Sequence, residues 1–257
     1  MPRNYLVTGA ASGVGRAVAD RLRHAGAEVI GVDVQDTDIT VDLATPSGRA
    51  AVVDQVNRRV SSLDGVVACA GIAAPKAVAP SINYFGVVEP LADLLPLLEL
   101  SDSPRVVVIT SVSALHRGTT AIIEACLAGD EPAAASAADT AIARGKGAGI
   151  YSATKTALSR WVRQAAPTDD WAGRGIALNA VAPGVVDTPM IRNQLNDPEQ
   201  RKQLDQAVPM PLRGPLAADD VAALAQWLVG PSNAGVTGQC IYIDGGADAV
   251  LRGDTVW

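Results

Sequence analysis

The stretch Thr8-Gly9-Ala10-Ala11-Ser12-Gly13-Val14-Gly15 decides how this chain is read. It follows the apolar run Asn4-Tyr5-Leu6-Val7 and leads into helical spacing over 14–24, so it joins a strand to a helix. Glycines at such a junction permit a tight turn and bring backbone N–H groups close to a pyrophosphate lodged at the positive helix end. Glycine turns also serve as plain connections, and the surroundings settle the matter. Eighteen residues beyond Gly15 a second apolar run, 28–32, ends at Asp33. A carboxylate there can accept hydrogen bonds from the adenosine ribose hydroxyls and repel a 2′-phosphate. No Arg or Lys lies between Gly9 and Gly15 or immediately after Asp33, which points to NAD(H) over NADP(H); the alternative for Asp33 is a turn residue.

Outward from this loop, short apolar runs recur at 65–68, 105–109, 176–181 and 240–243, separated by stretches of helical spacing. Strands alternating with helices predict right-handed crossovers and an α/β, doubly wound parallel sheet of Rossmann type. No linker or repeat divides the chain, so residues 1–257 are expected to form one domain. Hydrophobic residues are 48% of the chain and aromatics 4%, so the core must be built from Val, Ile, Leu and Ala, as strands covered on both faces require. The segment 114–149 breaks the rhythm, because it is long for a connection. Ile122, Ile123, Cys126 and Leu127 share a helical face that ends at Gly129, and Asp130-Glu131-Pro132 starts an Ala-rich second helix. A helical hairpin inserted before the next helix is expected, with a flexible Gly145-Lys146-Gly147-Ala148-Gly149 return.

The net charge of −6 and the absence of a basic run argue against nucleic acid or an anionic membrane surface as partner, leaving a small molecule. Cys69, Cys126 and Cys240 are odd in number and scattered, offering neither a disulfide framework nor metal-ligand spacing, and no metal is expected. With no apolar signal stretch before Tyr5 and no run of eighteen apolar residues, a soluble cytoplasmic protein is expected. His24 reads as a surface residue at a helix end; His116, five residues past Ser111, either borders the pocket or is structural.

Tyr151-Ser152-Ala153-Thr154-Lys155 opens a helix-spaced segment and puts the tyrosine and lysine on one face, a turn apart. A fixed ammonium beside a phenol favours phenolate, which suits proton transfer; an exposed pair on a helix would look the same in sequence.

With these residues assembled, the chain resembles the short-chain dehydrogenase/reductase family along nearly its whole length. The resemblance implies that Thr8, Gly9, Ser12, Gly13, Val14 and Gly15 bind the dinucleotide, and that Asp42-Leu43, at the end of a third strand, contacts adenine. Ala70-Gly71 matches the end of the family's Asn-Asn-Ala-Gly, with Cys69 where asparagine is usual. It further implies that Asn83 holds a proton-relay water, Ser111 orients the substrate oxygen (Ser113 being the rival), Tyr151 transfers the proton, and Lys155 binds ribose and lowers the phenol's pKa. Pro183-Gly184, with Val186 and Thr188, resembles the segment facing the nicotinamide carboxamide, and Ile243-Asp244-Gly245-Gly246 the terminal-strand signature.

The short path from Gly71 to Asn83, the wording Asn83-Tyr84-Phe85-Gly86 and the long insert are similar to the 3α-hydroxysteroid dehydrogenase/carbonyl reductase branch. That implies an NAD(H)-dependent interconversion of a secondary alcohol and a ketone on a hydroxysteroid or other bulky cyclic substrate. Aryl or terpene alcohols, reduction of acyl-carrier thioesters, and a non-catalytic NAD(H) sensor are the alternatives. The insert's apolar face and a polar segment at 189–212, read as a lid or as a surface helix pair, would complete the substrate pocket. Because the insert could cover the helix through which family members commonly pair, a homodimer using another face is expected.

Overall fold

The computed structural model describes residues 2–256. The main-sheet strands are β1 (Asn4–Thr8), β2 (Glu28–Asp33), β3 (Ile39–Thr40), β4 (Gly65–Ala68), β5 (Arg105–Ile109), β6 (Ala177–Pro183) and β9 (Cys240–Ile243). They form one parallel sheet in the order β3-β2-β1-β4-β5-β6-β9. A two-stranded parallel pair, β7 (Val186–Asp187) and β8 (Leu216–Ala217), stands apart from it. Chain order runs outward from β1 to β3, then restarts on the other side of β1 with β4. Parallel sheets reversed in this way leave a crevice at the carboxyl ends of the two strands where the direction changes.

The central strands are buried on both faces, as the Val-rich runs demand: Val106, Val107 and Val108 are all fully enclosed. Alternate residues face opposite layers. Leu6, Val66, Val106 and Val108 join one core with α2 (Pro46–Arg59), α3 (Gly86–Asp93), α4 (Leu95–Leu98) and α7 (Gly149–Ala165). Val7, Val67, Val107 and Val181 join the other with α1 (Gly13–His24) and α10 (Ala218–Val229). The helix stripe of α1 is Val18, Ala19 and Leu22, and it stops one residue short of Gly26, whose φ is +83°.

The insert is the expected hairpin, α5 (Thr120–Leu127) and α6 (Glu131–Ala143), with the Asp130 carboxylate accepting from the Ala133 N–H at 2.9 Å. Its apolar face does something other than expected. Ile122 and Cys126 are fully buried in the main core, packed on α7, and no described residue of 114–149 lines the cavity at the carboxyl edge of the sheet. An apolar stripe next to an apolar helix gains more from dry packing than from facing a solvent-filled space. The sequence expectation that this face builds the substrate pocket is therefore corrected. The third strand is also shorter than read: β3 ends at Thr40, and Asp42-Leu43 lie beyond it.

The segment after β7 holds α8 (Arg192–Asn196) and α9 (Pro198–Ala207); a last short helix, α11 (Ala247–Arg252), follows β9. No helix among the described residues is long and apolar enough to cross a membrane.

If α5 belongs to the core, Ile122→Ala should lower unfolding free energy by about 2–5 kcal/mol, the usual cost of emptying a sealed aliphatic site. Urea denaturation measures it, and a loss below 1 kcal/mol would place Ile122 on a loose cover instead.

Candidate active site

One cavity of about 480 Å³ opens along the carboxyl edge of the sheet. At one end stand Asp33, Asp42 and Leu43; in the middle Gly9, Ser12, Gly13, Val14, Gly15, Ala70 and Gly71; at the other end Ser111, Tyr151, Lys155, Pro183, Gly184, Val186 and Thr188. Of the residues expected from the sequence to bind cofactor or act in catalysis, Thr8 and Asn83 alone stay off the wall, and both brace it from behind. The Thr8 hydroxyl accepts from the N–H groups of Cys69 and Ala70 at 3.1 and 3.2 Å, pinning the ends of β1 and β4 together. The Asn83 amide clasps Ile72, accepting from its N–H at 2.8 Å and donating to its carbonyl at 2.9 Å, and donates again to Thr154 Oγ1 at 3.1 Å. Both its donors are thus engaged by protein. Its side chain braces the loop after β4 against α7.

The glycine turn is as tight as its composition suggests. A Cβ on Gly15 would lie 2.2 Å from the Gly9 carbonyl oxygen, and one on Gly9 2.9 Å from the Ala70 nitrogen, with φ of Gly9 at +69°. No side chain fits at either position. Ser12 begins α1 without a side-chain hydrogen bond to the helix, and the first turn carries no acid. The positive end of α1 is thereby left open toward the cavity, the local chemistry an anionic diphosphate needs. The Asp33 carboxylate accepts from Ala11 N–H at 3.0 Å and Val34 N–H at 2.7 Å, one bond per oxygen, which leaves acceptor capacity on both. A dinucleotide fits these residues.

At the far end Lys155 is 3% exposed and donates from Nζ to the Ile109 carbonyl at 2.8 Å, 5.7 Å from the centroid of the Tyr151 ring. Burial pulls its ammonium down to about 8, against the weaker pull of the neighbouring Cys69 sulfur. Burial likewise pushes the Tyr151 phenol above its ordinary value, opposed by the Ser111 hydroxyl beside it. In the chain by itself, then, desolvation sets the direction for the phenol. Ser111 Oγ also accepts from Ser113 N–H at 3.1 Å; both serines reach the wall, and Ser111 is the one that acts on the phenol. Cys69, raised to about 12 by burial, stays a neutral thiol. His116 does not line the cavity, and its Nε2 is buried without a partner.

Several wall residues were not singled out in the sequence. Met190, Ile191, Leu204 and Val208 come from the segment holding α8 and α9, and Val112 and Val185 face them. The Leu204/Val208 spacing of four was a legible helical signal. The terminal Asp244 is a turn brace, its carboxylate accepting from the N–H groups of Gly246 and Asp248.

The family model described as enoyl-(acyl carrier protein) reductase matches residues 9–248. The 3-alpha-hydroxysteroid dehydrogenase/carbonyl reductase of Comamonas testosteroni is 34% identical over 96% of this chain and 97% of its own. The crystal structure of the 3-alpha-hydroxysteroid dehydrogenase from Pseudomonas sp. B-0831, complexed with NADH, superposes with a TM-score of 0.90 at 36% identity, covering 98% of this chain and 100% of that one. The coniferyl-alcohol dehydrogenase of Pseudomonas sp. (strain HR199 / DSM 7063) is 27% identical over 95% and 96% of the two chains. The fold and site define a nicotinamide-dependent oxidoreductase acting on hydroxyl groups. The chain belongs to the short-chain dehydrogenase/reductase family.

Lys155 is the one cation among the described residues lining the cavity, so binding of an anionic cofactor draws on its charge. The ammonium is charged below about 8 and loses its proton above it. Affinity for NADH should therefore fall several-fold from about pH 7 to pH 9, within the range a charge-assisted hydrogen bond allows. Fluorescence titration reads this directly, with Lys155→Met binding weakly and without the slope; a flat wild-type profile would contradict it.

Proposed function

We propose that the chain is an NAD(H)-dependent dehydrogenase that interconverts a secondary alcohol and a ketone on bulky cyclic substrates, hydroxysteroids foremost. The observation that carries this reading is one cavity in which a buried Tyr151, flanked by Ser111 and Lys155, lies between the glycine cradle and an apolar wall. Gly9, Ser12, Gly13, Val14 and Gly15 would hold the cofactor's diphosphate, Asp33 its adenosine ribose, Asp42 and Leu43 its adenine, and Lys155 its other ribose. Ala70 and Gly71 would flank it at mid-cavity, with Pro183, Gly184, Val186 and Thr188 beside the carboxamide. When bound, the nicotinamide takes up or gives the hydride.

The protein's own residues handle the oxygen and its proton. Ser111 donates to the substrate oxygen, and Tyr151 Oη holds the proton that oxygen gives up on oxidation and returns it on reduction. A phenol pushed up by burial is a good proton donor to a forming alkoxide. In the oxidising direction it needs a nearby positive charge to ionise, which Lys155 and the oxidised ring together supply.

Asp33 and the lack of any basic residue at that end of the wall favour NAD(H) over NADP(H). Val112, Val185, Ile191, Leu204 and Val208 present apolar surface where a ring system would lie, and the segment 189–212 acts as the lid. The two hydroxysteroid relatives favour a steroid, and the coniferyl-alcohol relative makes aryl alcohols the second choice. Its three cysteines are free thiols, suited to a reducing cytoplasm. The insert packs along α7, so we infer a homodimer built on another face, with a solution mass of two chains where four would refute it.

One screen tests the function: hydroxysteroids, terpene, aryl and short linear alcohols, each with NAD⁺ and with NADP⁺, for wild type and Tyr151→Phe. Ring alcohols with NAD⁺ should give the highest kcat/KM, and Tyr151→Phe should lower kcat by about 10²–10⁴ with cofactor affinity little changed. Turnover of short linear alcohols as good as that of the rings would overturn the bulky pocket. Preference for NADP⁺ would overturn the Asp33 argument, and cofactor binding without turnover of any alcohol would make the protein a sensor.

A further inference from the structure

Among the described residues, the one cation buried outside the active site is Arg49, 3% exposed in the first turn of α2. A buried guanidinium is tolerated only where its charge and donors are met, and here every branch is used. Nε donates to Glu89 Oε2 at 2.6 Å; Nη2 and Nη1 grip the two oxygens of Glu131 at 2.6 and 3.2 Å. Nη1 also donates to the Leu43 carbonyl at 3.2 Å and reaches the Ala44 carbonyl at 3.5 Å. Glu131 opens the second insert helix, Glu89 lies on α3, and Leu43 lines the cavity end opposite Tyr151.

The backbone carrying Leu43 is gripped from other sides as well. A Cβ on Gly48 would lie 2.0 Å from the Asp42 carbonyl oxygen, so α2 begins in direct contact with it; Thr45 Oγ1 donates to that same oxygen at 3.1 Å. Gly86 of α3 lies close enough that its Cβ would sit 3.1 Å from Leu43 Cβ. The backbone at 42–43 is therefore held by α2, by α3 and by the guanidinium, and the guanidinium is itself gripped by a carboxylate from the insert.

We propose that Arg49 is a positioning residue for the adenosine half of the cofactor, and that the insert, through Glu131, sets the placement of the Asp42–Leu43 wall. The role rests on the reading of that cavity end as the adenine site. It gives the insert a function at the cofactor end of the enzyme, although none of it lines the cavity. Arg is required because a lysine ammonium is a point donor that cannot span two carboxylates and a carbonyl at once.

The test is Glu131→Gln, with Arg49→Lys as the second variant should the first fail to fold. Measured are KM for NAD⁺, kcat, the Kd of ADP-ribose, and turnover with nicotinamide mononucleotide, which has no adenosine. KM for NAD⁺ and the ADP-ribose Kd should both rise by about 3–10-fold, with kcat and the mononucleotide kinetics within about twofold of wild type. An equal loss with the mononucleotide, a fall in kcat at constant KM, or a lowered Tm with unchanged ADP-ribose affinity would each overturn the positioning role. Failure of the wild type to bind ADP-ribose would be a different result, refuting the dinucleotide reading on which the role stands.

Discussion

The backbone of the first strand-to-helix turn folds so closely on itself at Gly15, and on the segment after β4 at Gly9, that neither position has room for a Cβ, and the rest of the site is arranged around these contacts. Because the turn is tight, α1 starts directly over the crevice where the strand order reverses between β1 and β4. Its positive end then faces the cavity with neither an acidic residue in its first turn nor a side-chain cap to compete for it. Thr8 joins the two strand ends at this point, and the Asp33 carboxylate ties the turn to β2 through Ala11. The open end of α1, the Asp33 carboxylate and the strand reversal thus meet at one turn, and a side chain at Gly15 would force that turn apart.

At the opposite end burial governs the chemistry. Tyr151 and Lys155 come from one turn of α7, a helix held between the sheet and the insert. Enclosure moves their pKa values apart, the ammonium down to about 8 and the phenol up, so that neither proton is held at its ordinary strength. A pair poised in this way responds to any charge brought beside it. That sensitivity is useful in an enzyme whose cofactor changes charge between its oxidised and reduced forms.

Much of this was legible in the residues because local rules and tertiary structure agree. The Val-rich runs could be little other than buried parallel strands, and Gly129-Asp130 could be little other than a break between two helices. The glycine loop and Asp33 were legible for the same reason: spacing alone puts them at adjacent strand ends. What escaped was set by contacts across the chain. The apolar stripe of α5 reads the same in sequence whether it faces a ligand or α7. Asn83 carries no mark showing that Ile72 and Thr154 use both its donors. The phenol's pKa depends on how deeply α7 is covered, which the four-residue spacing of Tyr151 and Lys155 does not encode. Arg49 was invisible because its carboxylate partners, Glu89 and Glu131, lie 40 and 82 positions away.

The most direct test of the central claim, that the cradle and Tyr151 serve one redox reaction at one cavity, is isotope transfer. The ring alcohol that turns over best, carrying deuterium on its carbinol carbon, would be incubated with NAD⁺ and the protein in ordinary water. Mass spectrometry of the NADH formed should then show one deuterium on the dihydronicotinamide ring, with the hydroxyl proton lost to solvent through Tyr151. Unlabelled NADH, or deuterium entering the ring when only the solvent is deuterated, would contradict the account.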